Sequence, residues 1–333
     1  MDTLEIDATE LQAITQLLDK LEGTFERLDT EEALHQVAVH AHELPSRLRL
    51  ALNAFRLERM SGVLRIRGYQ VDDDRLGPTP GHWRESRNPS PAHREELLLV
   101  MLSSLVGDPF GWATQQDGRL IHDIIPIQGH EQEQMGTSSE ALLTWHTEDA
   151  FHLLRGDFLA FSCLRNPYAA VTTIGFVDTL KLTDRTRSVL AQPRFNILPD
   201  NSHKAKNNSP GTAESFAYVE EMLNNPAPVA VLFGDLDKPY IRADPYFMTV
   251  QDGDDEARAA LAELADAVED DMHDLRLEAG EFCFLDNFRV VHGRKPFKAR
   301  FDGTDRWLKR VNVTSDLRKS RGARTSAGSR SIH

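Results

Sequence analysis

Hydrophobic spacing divides the chain into two textures. Up to about residue 60 the apolar positions recur every three or four residues, and Leu11, Ile14, Leu17, Leu18 and Leu21 make one stripe of a helix. Thr30, ahead of "EEALHQVAVHAHEL", caps a second helix that stops before Pro45. Alternation then takes over in "SGVLRIRGY" (Ser61 to Tyr69), which predicts a strand. The Pro- and Gly-rich "GPTPGHWRESRNPSP" predicts a loop, and a further helix covers about residues 92–106. From Gly111 onward the runs are short and β-like: "RLIHDIIPI", "LLTWHTE", "FLAFSCL", "VTTIGFV", "VAVLFG", "EFCFLDNFRVVHG" and "RWLKRVNVT". Many short strands at such spacing indicate a barrel or a jelly roll, interrupted by one helix near residues 254–272.

Residues 199–215, "PDNSHKAKNNSPGTAES", carry no apolar periodicity. A polar insert of that length in a compact domain is a lid or a disordered segment. With no internal repeat and no linker, the expectation is one domain over 1–318, with a helical part at 1–60 and a β core at 61–318 that carries the insert.

Charge narrows the partners. Lysine and arginine number 38 against 52 acids, a net charge of −14, which argues against nucleic acid and tolerates a small cationic substrate. No apolar run is long enough to span a membrane, and the acidic "MDTLEIDATELQ" is unlike a secretory leader, so a cytoplasmic location is expected. The two cysteines, Cys163 and Cys283, lie in apolar runs and read as buried free thiols. The basic, Ser- and Gly-rich end "RKSRGARTSAGSRSIH" reads as a disordered tail over 319–333.

Candidate chemistry begins at "TWHTEDAFH". On a strand, His146 and Glu148 project to one face and Trp145 and Thr147 to the other. A buried imidazole beside a buried carboxylate must be paired or metal-bound, and a plain His–Glu hydrogen-bonded pair satisfies that as well as a ligand set does. "GEFCFLDNFRVVHGRKPF" places His292 at the end of a long apolar strand. Two histidines and a carboxylate on a β scaffold match the facial triad of non-haem Fe(II) oxygenases. In "DRWLKRVNV", Arg306, Leu308 and Arg310 share one strand face. If Leu308 faces inward, both guanidinium groups are buried and require carboxylates, whether from a ligand or from structural salt bridges.

These motifs together resemble the clavaminate synthase-like Fe(II)/2-oxoglutarate oxygenases of the taurine dioxygenase superfamily. The resemblance runs through "HDIIPIQGHEQEQ", "WHTEDAFH", "FLAFSCLRNP", "DNFRVVHGR" and "FDGTDRWLKRV". It is nearest to amino-acid β-hydroxylases such as the arginine and asparagine hydroxylases of peptide antibiotic biosynthesis. It implies a mainly β fold with flanking helices around a double-stranded β-helix (jelly roll, cupin-like) core. It implies that His146, Glu148 and His292 hold Fe(II). Arg306 and Thr173, or Thr172 one register away, would hold 2-oxoglutarate, and O₂ would be the second co-substrate. Arg310 would hold the substrate carboxylate and Gln115 or Gln116 its amino group. Glu148 fills the ligand position that related halogenases leave to halide, which favours hydroxylation.

In "YIRADPYFM" only Asp244 matches a pair of aspartates that contact a guanidinium group in the arginine hydroxylase, and Tyr246 stands at the second place. A turn residue is the plainer reading of Asp244. Gly136 stands where relatives have a hydroxyl near the substrate carboxylate, so Thr137 or Ser138 would substitute. The resulting expectation is hydroxylation of a free, basic L-amino acid at C3. Desaturation, dihydroxylation or ring formation is the alternative within the class, and a catalytically silent metal- or ligand-binding barrel the alternative outside it.

Overall fold

The computed structural model describes residues 1–86, 89–208 and 213–333. Its first half runs β1 (Asp2–Glu5), α1 (Ala8–Leu21), α2 (Glu31–His40), α3 (Ser46–Arg56), β2 (Val63–Arg67), α4 (Asp73–Leu76), α5 (His93–Ser104), β3 (Asp108–Trp112), β4 (His122–Ile124), β5 (Leu143–His146), β6 (Phe158–Arg165) and β7 (Thr172–Phe176). The second half runs α6 (Asp184–Leu190), β8 (Phe195–Ile197), α7 (Ala213–Asn224), β9 (Leu232–Phe233), β10 (Tyr240–Ile241), β11 (Met248–Val250), α8 (Asp255–Asp270), β12 (His273–Leu275), β13 (Phe282–Asp286), β14 (Val290–Arg294), β15 (Trp307–Thr314) and β16 (Ser331–Ile332).

Two sheets carry the molecule. The larger has the order β1-β2-β13-β6-β15-β3-β16, with β4 also paired to β15, and the smaller has the order β12-β7-β14-β5. They face each other across one core that takes Leu159, Phe161, Cys163, Cys283, Leu285 and Leu308 from the large sheet and Ile174, Leu275 and Val290 from the small one. The next residues along the same strands point outward: Phe158, Ala160, Phe282, Phe284 and Val311 pack beneath α1, α2, α3 and α5. Strands buried on both faces read as continuous apolar runs, which is why "FLAFSCL" and "EFCFL" lack polar alternation.

The helices obey their spacing. The α1 stripe of Ile14, Leu17, Leu18 and Leu21 is buried, and a reciprocal Asp7–Glu10 capping box starts it. Thr30 accepts the Ala33 N–H and starts α2. Helix α5 is buried from Glu95 to Ser103, so its sequence carries no amphipathic period. Helix α8 buries Ala257, Ala260, Leu264 and Val268 against the outer face of the small sheet, beside Trp145 and Val291. Both cysteines are free and buried.

Three expectations are corrected. The strand-rich part is interrupted by α6 and α7 as well as α8, where a single helix was expected. "EFCFLDNFRVVHG" is not one strand: β13 ends at Asp286, whose carboxylate accepts the Phe288 N–H, and the chain turns across to the opposite sheet as β14. His292 therefore belongs to the small sheet. The tail at 319–333 is ordered, since β16 pairs in parallel with β3 and buries Ile332 beside Phe110 and Trp112. The Arg324 guanidinium is caged by the carbonyls of Leu317, Ser326, Ala327 and Ser329 at 2.7–3.3 Å. Composition counts apolar side chains, and this segment is held instead by backbone groups and one caged arginine. Of the 199–215 insert, residues 209–212 lie outside the described residues.

Candidate active site

The ladder between β5 and β14 sets His146 and His292 directly opposite one another. Their rings lie 4.5 Å apart, centre to centre. Glu148 sits two residues beyond the end of β5, where Asn287 clamps its backbone: Glu148 N–H donates to Asn287 Oδ1 at 2.9 Å, and Asn287 Nδ2 donates to the Glu148 carbonyl at 3.1 Å. One carboxylate oxygen, Glu148 Oε2, then lies 3.5 Å from His146 Nε2 and 3.4 Å from His292 Nε2. Those separations exceed a good hydrogen bond and fall within the span of ligands sharing one ion at about 2.1 Å each.

The protonation pattern suits a cation. The Nδ1–H of His146 donates to the Thr144 carbonyl at 2.8 Å, which turns Nε2 toward Glu148. Burial works against a charge on His146, yet the Glu148 carboxylate and the Asp244 charge push it up to about 9. The field that favours a proton there equally favours a metal ion. Burial and the neighbouring His146 push His292 down to about 4, which keeps it neutral and able to ligate.

The three ligand atoms open into a pocket that also receives Arg306, Arg310, Thr172, Gln115, Thr137, Asp244 and Asp200. Leu308 packs in the core between the sheets, so Arg306 and Arg310 on its face do point inward. Arg310 pairs with Glu148 Oε1, and its Nη2 donates at 2.9 Å both to Gln115 Oε1 and to His122 Nδ1. Arg306 differs: it is buried, and among the described residues its guanidinium has no hydrogen bond or ion pair. Burial lowers its pKa to about 10, still well charged at neutral pH. An unanswered buried guanidinium is costly and fits the planar fork of a carboxylate.

The remaining sequence-derived residues separate. Thr172 lines the pocket, whereas Thr173 lies on the far face of β7, as strand alternation requires once Ile174 is in the core. Gln116 reaches the pocket, but both ends of its amide are engaged by the Asp123 backbone, at 2.9 and 3.0 Å. Gln115 keeps a lone pair on Oε1 while Nε2 donates to Ser202 Oγ at 2.7 Å. Thr137 lines the pocket and bonds His130 Nδ1 at 3.1 Å. Ser138 does not line it, because its hydroxyl donates to the Met135 carbonyl and accepts from Arg294. Asp244 is a pocket residue rather than a surface turn, and burial pushes its pKa up to about 6.

The sequence model of the "Taurine catabolism dioxygenase TauD, TfdA family" matches residues 87–312. The chain belongs to the TauD, TfdA family. Among curated relatives of this family member, the enduracididine beta-hydroxylase of Streptomyces hygroscopicus is 45% identical over the whole of both chains. The L-ornithine/L-arginine 3-hydroxylase of Catenulispora acidiphila is 40% identical, again over the whole of both. The crystal structure of the non-heme iron oxygenase OrfP with Fe, succinate and (3S)-hydroxy-L-Arg superposes with a TM-score of 0.96 at 43% identity, covering both chains fully. OrfP with Fe and alpha-ketoglutaric acid superposes at 0.89 and 42% identity, covering 99% of this chain and all of the other.

In and around this TauD, TfdA-family pocket, four polar residues that hold or complete the site stand outside the sequence-derived set, two of them lining it and two standing behind it. Asn287 holds the Glu148 backbone, and its signal was a polar residue inside an apolar run. His122 orients Arg310; it donates from Nε2 to the Arg119 carbonyl, and burial and the Arg310 charge push it down to about 3, so Nδ1 stays an acceptor. Arg294 lines the pocket and spends its guanidinium on the Ser138 and Ala141 carbonyls and the Ser138 hydroxyl. Asp200 comes from the polar insert, and no local pattern marked it. It faces the pocket with Asp244 because β8 pairs with β11, which brings two positions distant in sequence together. The pocket can therefore hold a divalent cation and a carboxylate near the strands, and a cationic group beneath the two aspartates.

Proposed function

We propose that this protein is an Fe(II)/2-oxoglutarate-dependent dioxygenase that hydroxylates a free basic L-amino acid of arginine-like or lysine-like character at C3. The observation that carries this reading is the polarity of one pocket, with a convergent His–Glu–His set and an unanswered arginine at one end and two aspartates at the other. The relatives named for hydroxylating ornithine, arginine and enduracididine, and the OrfP complex with (3S)-hydroxy-L-Arg, support both the substrate class and the carbon.

His146, Glu148 and His292 hold the iron. Arg306 takes the distal carboxylate of 2-oxoglutarate, with Thr172 donating beside it. Iron with these co-substrates supplies an oxidant able to remove hydrogen from an unactivated C–H bond. The chain's own work is placement. Arg310, held in position by His122 and Gln115, binds the α-carboxylate, and Gln115 meets the amino group. Asp244 and Asp200 bind the cationic end. Fixing both ends of the substrate selects the carbon presented to the metal.

The two facing sheets are read as a double-stranded β-helix of one domain that takes in residues 1–318 and, through β16, the 319–333 segment as well, a reading supported by the shared core between the sheets and by the likeness to OrfP. The cytoplasm is the expected compartment, in keeping with two buried free thiols; among the described residues no helix is long and apolar enough to cross a membrane.

Incubating the protein with Fe(II), 2-oxoglutarate, O₂ and a panel of free amino acids, read by mass spectrometry, tests the proposal. The expected product is arginine or a close basic relative gaining one oxygen, with stoichiometric succinate. Loss of two hydrogens would establish desaturation instead. Absence of succinate with every amino acid would leave a silent metal-binding barrel.

A further inference from the structure

Immediately after the proposed ligand Glu148, the backbone of Asp149 turns into the left-handed region with φ 51°. Successive acids are thereby sent in different directions, Glu148 toward the two histidines and Asp149 into the wall that meets the polar insert. There the Asp149 carboxylate is fully buried and fully used. Trp112 Nε1 donates to Oδ2 at 2.6 Å, and His203 Nε2 donates to Oδ1 at 2.9 Å. The other nitrogen of His203 bonds the Thr114 hydroxyl at 2.8 Å. The ring packs 4.9 Å from that of Phe151 and 5.7 Å from that of Trp112.

His203 is the one side chain of the short turn Asn201–His203 that is buried in the core, and that turn follows Asp200 and contains Ser202, both of which line the pocket. The other ties of residues 200–208 to the body are weaker in kind. Ser202 accepts from Gln115 at 2.7 Å, Asn208 accepts the Asp117 N–H at 3.3 Å, Asn201 donates to Glu133 at 3.2 Å, Asn207 donates to Met135 Sδ at 3.4 Å, and the exposed Lys206 lies 3.9 Å from Glu133. These are neutral or partly exposed bonds, whereas the His203–Asp149 contact joins two side chains with almost no solvent access. A buried pair of this type holds firmly while closed, because separating the partners in place would strand a carboxylate, and it releases without that penalty only when the segment lifts and water enters.

We propose that His203 is the positioning residue that latches segment 200–208 over the amino-acid end of the pocket. Through Asp149 it ties the closed position of Asp200 and Ser202 to the backbone that presents Glu148. Residues 209–212 are not needed for this role. The inference rests on the proposed function for its kinetic consequence, while the latch itself can be read without any turnover.

Three variants test it: His203→Ala, His203→Gln, whose amide can still donate to Asp149, and Trp112→Phe, which removes the other Asp149 bond and leaves the latch. The first measurement is limited trypsin digestion of the whole protein without substrates, following by mass the cleavage after Lys204 and Lys206. His203→Ala should accelerate those cuts about tenfold or more, His203→Gln by about threefold or less, and Trp112→Phe no more than its loss of Tm accounts for. The second is steady-state turnover. His203→Ala should raise KM for the amino acid about tenfold, leave KM for 2-oxoglutarate within about twofold, and raise succinate formed per hydroxylated product above one. Unchanged cleavage after Lys204 and Lys206 in His203→Ala, with Tm preserved, overturns the latch. So does an equal rise in both KM values, or Trp112→Phe reproducing the cleavage pattern, because either marks a general loss of packing. If no amino acid is turned over by the unsubstituted protein, the functional reading has failed, and the digestion alone decides the latch.

Discussion

The two ends of the pocket are built differently. At the metal end, His146, His292, Thr172, Arg306 and Arg310 stand on or beside strands β5, β14, β7 and β15, and their spacing is set by ladders with the register His292↔His146 and Arg294↔Thr172. At the amino-acid end, Asp200, Ser202 and Asp244 stand on turns whose relative position depends on the short β8–β11 pairing. A ladder fixes side chains to about half an ångström at no further cost, and turns need partners of their own. On the proposed function, the chemistry common to the oxygenases would sit on the strands, and the choice of substrate where substitution disturbs least.

The largest effect expected from breaking that contrast is at the strands. His146→Ala, Glu148→Ala and His292→Ala should each reduce succinate formation below detection, because each removes one of the three proposed iron ligands. Iron content after desalting should fall in all three, and Tm should change little for the two histidine variants. Near-normal turnover in any of them would exclude the triad.

Next come the two arginines of one strand face. Arg306→Lys should raise KM for 2-oxoglutarate about ten- to a hundredfold, because a point charge cannot replace a two-pronged fork. Arg310→Lys should act on KM for the amino acid instead. Exchanged effects would keep the site and reverse the roles.

At the turn-built end, Asp244→Asn should lower kcat/KM for a basic amino acid about tenfold and Asp200→Asn somewhat less, with smaller losses for a neutral amino acid of similar length. Asp244 also sets a pH dependence. Its pKa in the folded chain, about 6, lies above the ordinary 3.8, so the carboxylate is charged for a cationic substrate above about pH 6 and neutral below it. kcat/KM should therefore fall as pH drops through 6, and Asp244→Asn should lose that inflection. The same shift costs stability: the penalty is absent below about 3.8 and full above about 6, so Asp244→Asn should raise the Tm of the free protein at pH 7 and not at pH 4.

The smallest effect separates two adjacent hydroxyls. Thr172→Val should raise KM for 2-oxoglutarate about fivefold, the worth of roughly one hydrogen bond, and Thr173→Val should leave it unchanged. An effect confined to Thr173 would place the co-substrate on the other face of β7.

Much of this was written in local pattern. The periods of α1, α2 and α8, the spacing of His146 and Glu148, and the face shared by Arg306, Leu308 and Arg310 follow from the geometry of one helix or one strand, which a short stretch of sequence carries whole. The β-rich fold with flanking helices and the convergence of the candidate ligands His146, Glu148 and His292 were legible for that reason. Other features depended on contacts between distant segments. Thr172 rather than Thr173 faces the pocket because Ile174 is taken into the core between the sheets. "EFCFLDNFRVVHG" divides because Asp286 caps a turn and Asn287 is required at the Glu148 backbone. The tail is ordered because β3 offers it an edge and Arg324 finds four carbonyls. Asp200 meets Asp244, and His203 meets Asp149, only once β8 has paired with β11 and the insert has folded back. Sequence alone determined α1, α2, α8 and most of the strands, because hydrophobic period and strand alternation act over a few residues, and it missed β16 and the break between β13 and β14. Tertiary structure decided which polar groups meet, because a buried charge or amide takes whichever distant partner the packing supplies.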